Sequence, residues 1–115
     1  MKDVRRGEVW LVNLDPTIGH EIKKLRPAVI VQNDIGNRYS PITIVAPVTS
    51  QQLSKVYPIE VLLTKENSGL ARESKVLLSQ IRAIDKQRLV KRVGKLDEET
   101  VEQVNEALKI SLGLD

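Results

Sequence analysis

Arg26 stands directly before Pro27 at the head of the apolar run RPAVIVQND (26–34). A residue preceding proline is pushed into extended geometry, and proline suits the first position of a strand, so the backbone that carries Arg26 is stiff. A guanidinium is permanently charged and presents its donors in a planar fork that matches the oxygens of a phosphate. Taken alone, Arg26 is explained as well by an ion pair with Glu21 or Asp34. Its company comes from other strand ends. Thr49 and Ser50 place adjacent hydroxyls at the close of ITIVAPVTS (42–50), and Gln80 and Arg82 stand two residues apart in SKVLLSQIRAI (74–84). In a single strand that spacing puts both on one face. The loops PTIGHEIKKL and TSQQLSKVYP add Lys23, Lys24 and Lys55 as cations for phosphate contact. Each residue has a plain explanation by itself, since hydroxyls end strands, Gln and Arg guard edges and lysines keep loops hydrated. Only as an ordered pattern along the chain do they point to a site for a phosphate-bearing ligand.

The elements that must hold these residues are short. GEVWLVNL (7–14) reads as a strand ending at the turn DPTIG, and 26–34 as a strand covered on both sides. DIGNRYSP (34–41) is rich in turn residues, and 42–50 is a third strand in which Pro47 marks an edge or bulge near the end. YPIEVLLT (57–64) and SKVLLSQIRAI (74–84) supply a fourth and a fifth, DKQRL (85–89) a short helical turn capped by Asp85, and VKRVGKL (90–96) a last short strand. The closing segment is the clearest helix. Asp97 is its N-cap, Glu98 and Glu99 sit in the first turn, and Lys109 with Gly113 marks its end. Val101, Val104, Leu108, Ser111 and Leu112 form the stripe that must lie against the sheet or a partner. The expected fold class is a β-rich α+β protein, a small, strongly curved β-barrel with a C-terminal helix.

Composition bounds the function. The 115 residues make one domain of ordinary size, with no repeats and no linker. With no cysteine, disulfide scaffolds and thiolate metal sites are excluded, and with a single histidine there is no obvious transition-metal cluster. No apolar run reaches the roughly 20 residues of a membrane span and MKDVRRGE is no signal segment, so a cytoplasmic protein is expected. Residues 96–115 set Lys109 against Asp97, Glu98, Glu99, Glu102, Glu106 and Asp115, a net −5 in a chain of +3. Residues 1–95 therefore carry +8, a bias toward a polyanionic partner. Helix capping accounts for part of the acidic end. It leaves the basic body unexplained.

In order and spacing, RGEVW, DPTIG-x-E, RPAVIV, P-V-T before a basic loop, and Q-I-R-A-I-D resemble the MazF/PemK family of toxin endoribonucleases along nearly the whole chain. The resemblance implies an SH3-like barrel of the type shared by CcdB and PemK toxins. It implies a homodimer, a cognate MazE-like antitoxin, no metal or other cofactor, and cleavage of single-stranded RNA. By position the catalytic pair is Arg26 and Thr49. The substrate contacts are Glu21, Lys23, Lys24, Asn33, Ser50, Lys55, Ser74 and Gln80. Two departures stand out: GHEIKKLRP replaces the common G-S-E-Q-x-G-x-R-P, and Ser79 stands where relatives often place an acid. Both make the groove more cationic, which raises sequence-independent affinity for phosphate.

Without a metal, the route is attack by the RNA 2′-hydroxyl on the neighbouring phosphorus, leaving a 2′,3′-cyclic phosphate and a 5′-hydroxyl. That reaction needs a stabiliser for the phosphorane, a proton acceptor and a donor to the leaving oxygen. Arg26 suits stabilisation and donation, because a guanidinium keeps its charge and so makes a poor base. Thr49 holds a non-bridging oxygen. Glu21, His20, the phosphate and solvent are the candidate acceptors. Trp10 belongs to the core or a dimer contact, and the Arg38 loop to the second subunit. Tyr39 and Tyr57 can stack bases, but 3% aromatic residues exclude a platform of the RRM type. The rival reading is a CcdB-like toxin that binds and poisons a protein such as gyrase; a further one is a housekeeping RNA-binding barrel.

Overall fold

The computed structural model describes residues 2–15, 19–20 and 25–115. Among them, seven strands form one antiparallel sheet: β1 (Glu8–Asn13), β2 (Leu25–Ile30), β3 (Ile42–Thr49), β4 (Glu60–Leu63), β5 (Ser74–Leu77), β6 (Arg82–Asp85) and β7 (Leu89–Lys95). Their order is β4-β5-β3-β2-β1-β7, with β6 also paired to β3. Three helices accompany them, α1 (Asp34–Tyr39), α2 (Lys65–Ser68) and α3 (Glu98–Leu112). The sheet is curved like a barrel wall but stays open between β4 and β7. Register shifts in the β1–β7 pairing, between Val9 and Trp10 and between Leu11 and Val12, increase its local twist.

Apolar residues on both faces of the sheet make two cores. Val29, Ala46 and Val48 join the one that α3 covers with Val104 and Ala107. Ala28, Ile30, Val45 and Trp10 belong to the other. That double cover is why 26–34 reads as an uninterrupted apolar run instead of an alternating one. Trp10 is a core residue, and its indole N–H donates to Glu8 Oε1 at 3.0 Å.

Strand β3 is the hub. One side pairs with β2 through Val45, Ala46 and Pro47. The other pairs first with β6, through Ile42–Val45, and then with β5, through Val48 and Thr49. Pro47 sits beside this change of partner, where a missing N–H costs least, so the strand runs on past it to Thr49.

Several expectations need correction. The segment 34–41 is not a bare turn, because Asn33 caps a short helix by accepting from Gly36 N at 2.8 Å. The run 74–84 is not one strand either: a 3-10 turn, Leu78–Gln80, separates β5 from β6. Gln80 and Arg82 therefore do not share a strand face. The fourth strand begins only at Glu60, and α2 was not foreseen; Thr64 and Asn67 start it with a reciprocal capping box. Strand β7 can pass close to α2 because position 94 is glycine, where a Cβ would collide with the carbonyl of Ser68. Helix α3 has its expected caps at Asp97 and Gly113. Its stripe is shifted, with Thr100, Val104 and Ala107 buried, Val101 and Leu108 packed at the margin, and Leu112 exposed.

Candidate active site

The β2–β3 register pairs Ile30 with Val45, Val29 with Ala46 and Ala28 with Pro47. The ladder ends at this last pair, since Pro27 has no N–H to donate. Beyond it Arg26 stands near the end of β3 that carries Thr49, in one cavity with Thr49's neighbours Val48 and Ser50. Arg26 is half-buried, and its Nη1 makes a long bond, 3.4 Å, to the carbonyl of Val48. Thr49 Oγ1 accepts from Gln51 N at 3.2 Å, which orients the hydroxyl and leaves its proton to donate.

Two depressions flank this strand pair. The first, about 350 Å³, has Arg26, Arg72, Ser50 and Ser74 as its polar lining over Pro27 and Val48. Ser74 is buried and donates to the carbonyl of Arg72 at 3.0 Å, so it shapes the loop before β5 as well as the cavity. The second, about 440 Å³, is lined by His20, Pro47, Gln80 and Arg82. Arg82 Nη1 donates to the carbonyl of Leu14 at 3.0 Å, and Arg88 Nη1 binds the carbonyls of Asn13 and Asp15. Both arginines thus secure the exit of β1.

The sequence-derived set is therefore divided. Arg26, Thr49, Ser50 and Ser74 come together, while Gln80 lies with His20 in the second depression. Asn33 is elsewhere, beyond the far end of β2, with its side-chain oxygen engaged in capping α1. Lys55 is exposed in the β3–β4 connection, its ammonium 5.1 Å from the centre of the Tyr57 ring. Glu21, Lys23 and Lys24 lie outside the described residues.

Sequence reasoning passed over two cations. Arg72 adds a second guanidinium to the cavity of Arg26. Lys75, on β5 directly opposite Thr49, is buried and ion-paired to Glu60 Oε1 at 3.0 Å. A lysine inside the apolar run SKVLL was the available signal. Its meaning required knowing that β4 lies alongside.

A small, curved antiparallel sheet with a C-terminal helix and two arginines in one surface cavity defines a class of small, open-barrel β-proteins with a cationic site. Comparison with known proteins narrows the class. Residues 5–112 match the family described as PemK-like, MazF-like toxins of type II toxin-antitoxin systems. The chain is 46% identical over 111 residues to Endoribonuclease EndoA of Bacillus subtilis (strain 168), covering 96% of each. Its fold matches a crystal structure of MazF from Deinococcus radiodurans with a TM-score of 0.84, at 26% identity over 99% of this chain and 100% of that one. A MazE–MazF structure from the same organism matches with a TM-score of 0.71, at 25% identity and the same coverage. The protein belongs to the PemK-like, MazF-like toxin family. The family match does not favour the gyrase-poison alternative.

Proposed function

We propose that residues 1–115 form a single toxin domain that cuts single-stranded RNA at short recognition sequences, without a metal ion, through attack by the RNA 2′-hydroxyl. The observation that carries this reading is the cavity in which Arg26 and Arg72 meet Ser50 and Ser74, at the end of the strand β3 that carries Thr49. The relative EndoA is named an endoribonuclease, which supports the same chemistry. In the reaction, the 2′-oxygen forms a bond to phosphorus and the bond to the 5′-oxygen breaks. The products are a 2′,3′-cyclic phosphate and a 5′-hydroxyl. Arg26 neutralises the charge that develops on the phosphorane and hydrogen-bonds the departing oxygen, while Thr49 donates to a non-bridging oxygen. His20 lines the other depression, so the 2′-proton passes to Glu21, the phosphate or solvent, and His20→Ala should leave the cleavage rate in place.

Ser50, Ser74 and Lys55 would hold nucleotides next to the cut bond, with Lys23, Lys24 and Glu21 on the neighbouring loop. Gln80 would meet the chain beyond Pro47, and Asn33 would reach it only at a distance from the reacting phosphate. The protein works in the cytoplasm as a homodimer, and no helix among the described residues is long and apolar enough to cross a membrane. A MazE-like antitoxin with an acidic segment occupies the cationic cavity and competes with RNA for it. The MazE–MazF structure among the relatives supports such a partner. Digestion of a defined RNA by the purified protein in EDTA, followed by analysis of the product ends, tests the reading. Cyclic phosphate with metal-free turnover is expected. RNA binding without cleavage would overturn it.

A further inference from the structure

Lys75 has the geometry of a keystone. The side chain of Lys75 is only 4% exposed, and its ammonium donates three hydrogen bonds of 3.0 Å each, to the carbonyls of Gln52 and Lys55 and to Glu60 Oε1. An ammonium has three donors, so all of them are satisfied. Glu60 Oε1 also accepts from the backbone N–H of Tyr57 at 3.0 Å. The β3–β4 connection, which carries Lys55 and begins at Ser50 beside Arg26, is thus wrapped around one buried ion pair. Gln52 within it adopts a left-handed backbone, φ 54°, a conformation that needs support from its surroundings. On the other side of the connection, Lys75 is the cross-strand neighbour of Thr49.

A buried ion pair is a poor device for stability, because desolvation cancels much of the attraction and an apolar pair of similar volume often serves as well. What a Lys–Glu pair does here, and a Leu–Leu pair would not, is bind backbone carbonyls of an irregular segment in one arrangement. We propose that Lys75 is a positioning residue of the RNA-cutting site: it holds the β3–β4 connection in the shape that presents Ser50 and Lys55 to RNA, and so governs substrate affinity and the choice of cut sequence. This inference rests on the proposed endoribonuclease activity. Lys75 touches no reacting atom, so its removal acts on binding, whereas removal of Arg26 acts on the chemical step.

The test compares wild type, Lys75→Met, Lys75→Arg and the double variant Lys75→Met/Glu60→Gln, the last of which leaves no buried charge without a partner. Each is checked for folding, then assayed for kcat and KM on a defined RNA oligonucleotide and for the set of sites cut in a long RNA. The double variant is expected to keep kcat within about threefold, to raise KM at least tenfold and to cut a broader set of sites. Lys75→Arg, which keeps the charge but not the compact three-donor head, should fall between. If Lys75→Met does not fold, the double variant decides. A folded double variant with the wild-type KM and cutting pattern would overturn the inference while leaving the activity intact, and a drop in kcat at unchanged KM would overturn it too. A wild-type protein that cuts no RNA would remove the proposed activity and this inference with it.

Discussion

At the head of β2, Arg26 lines a cavity and reaches the end of β3 beside Thr49, whereas past the far end of β2 the polar side chains close on one another. There Gln32 Nε2 donates to Asn37 Oδ1 at 3.1 Å and Thr43 Oγ1 to the same oxygen at 2.7 Å. Asn37 Nδ2 returns bonds to the Gln32 carbonyl at 2.9 Å and Asp34 Oδ1 at 3.2 Å. The buried Lys86 completes the cluster by donating to the Asn37 carbonyl. Both ends are rich in hydrogen-bonding groups. They differ in what the groups line: the far cluster is closed on itself, a network that specifies structure, while Arg26, Arg72, Ser50 and Ser74 border an open cavity. The contrast explains why Asn33 and Asn37, which look as functional in sequence as Thr49 and Ser50, belong to a structural cluster.

Substitutions at the two ends should separate cleanly. Arg26→Ala is expected to lower kcat by about a hundredfold or more, the loss of about 3 kcal/mol of phosphorane stabilisation, with the melting temperature retained. Arg26→Lys should recover little, because an ammonium lacks the planar fork. Single-turnover cleavage beside thermal melting checks both, and a folded Arg26→Ala protein cutting at the wild-type rate would erase the contrast. Asn37→Ala should do the reverse, costing about 1–3 kcal/mol of stability by stranding the buried Thr43 hydroxyl, with kcat unchanged below the melting range. Urea titration measures the cost.

Smaller effects sharpen the same division. Neutralising Lys23, Lys24 or Lys55 should each lower the log–log salt slope of RNA binding by about one unit or less without moving the cut sites. Titration of a non-cleavable oligonucleotide at several salt concentrations reads this directly. The least effect is expected at Glu8. Its burial raises the carboxyl pKa, but hydrogen bonds from the Trp10 indole, Arg92 and the Arg5 N–H, with the Arg92 charge, outweigh that and hold it below its ordinary value of 4.5. A depressed folded pKa contributes stability that is full above the ordinary value and is lost as pH falls through the lower folded one. Glu8→Gln should therefore flatten the acid limb of the stability profile. Equal acid sensitivity in variant and wild type would show that Glu8 contributes nothing to it.

Much of this was legible along the chain because it depends on neighbours in sequence. The caps at Asp97 and Asp85, the stiff mounting of Arg26 before Pro27 and the doubly covered strand β2 all follow from local stereochemistry and apolar pattern. Family motifs also point to Arg26 and Thr49 as the catalytic pair that the proposed function uses. The break at Leu78–Gln80 was not legible, because SKVLLSQIRAI contains no glycine or proline to mark a turn; the turn stands where β3 accepts β5 over one part of its length and β6 over another. Periodicity places Leu112 on the stripe against the sheet or a partner, yet it is exposed at the end of α3.

By itself, then, the sequence determined a basic β-rich body, a capped acidic helix, a rigid arginine and the family to which they belong. Only the tertiary structure decided that Arg26 shares a cavity with Arg72, that Gln80 joins His20 instead, that Asn33 serves a helix cap, and that Lys75 and Glu60 meet beneath the β3–β4 connection. Each of those outcomes is a matter of strand register and partner choice. A side chain's face alternates with every residue, so a shift of one position would exchange inside for outside, and that register is set by contacts between segments far apart in the chain.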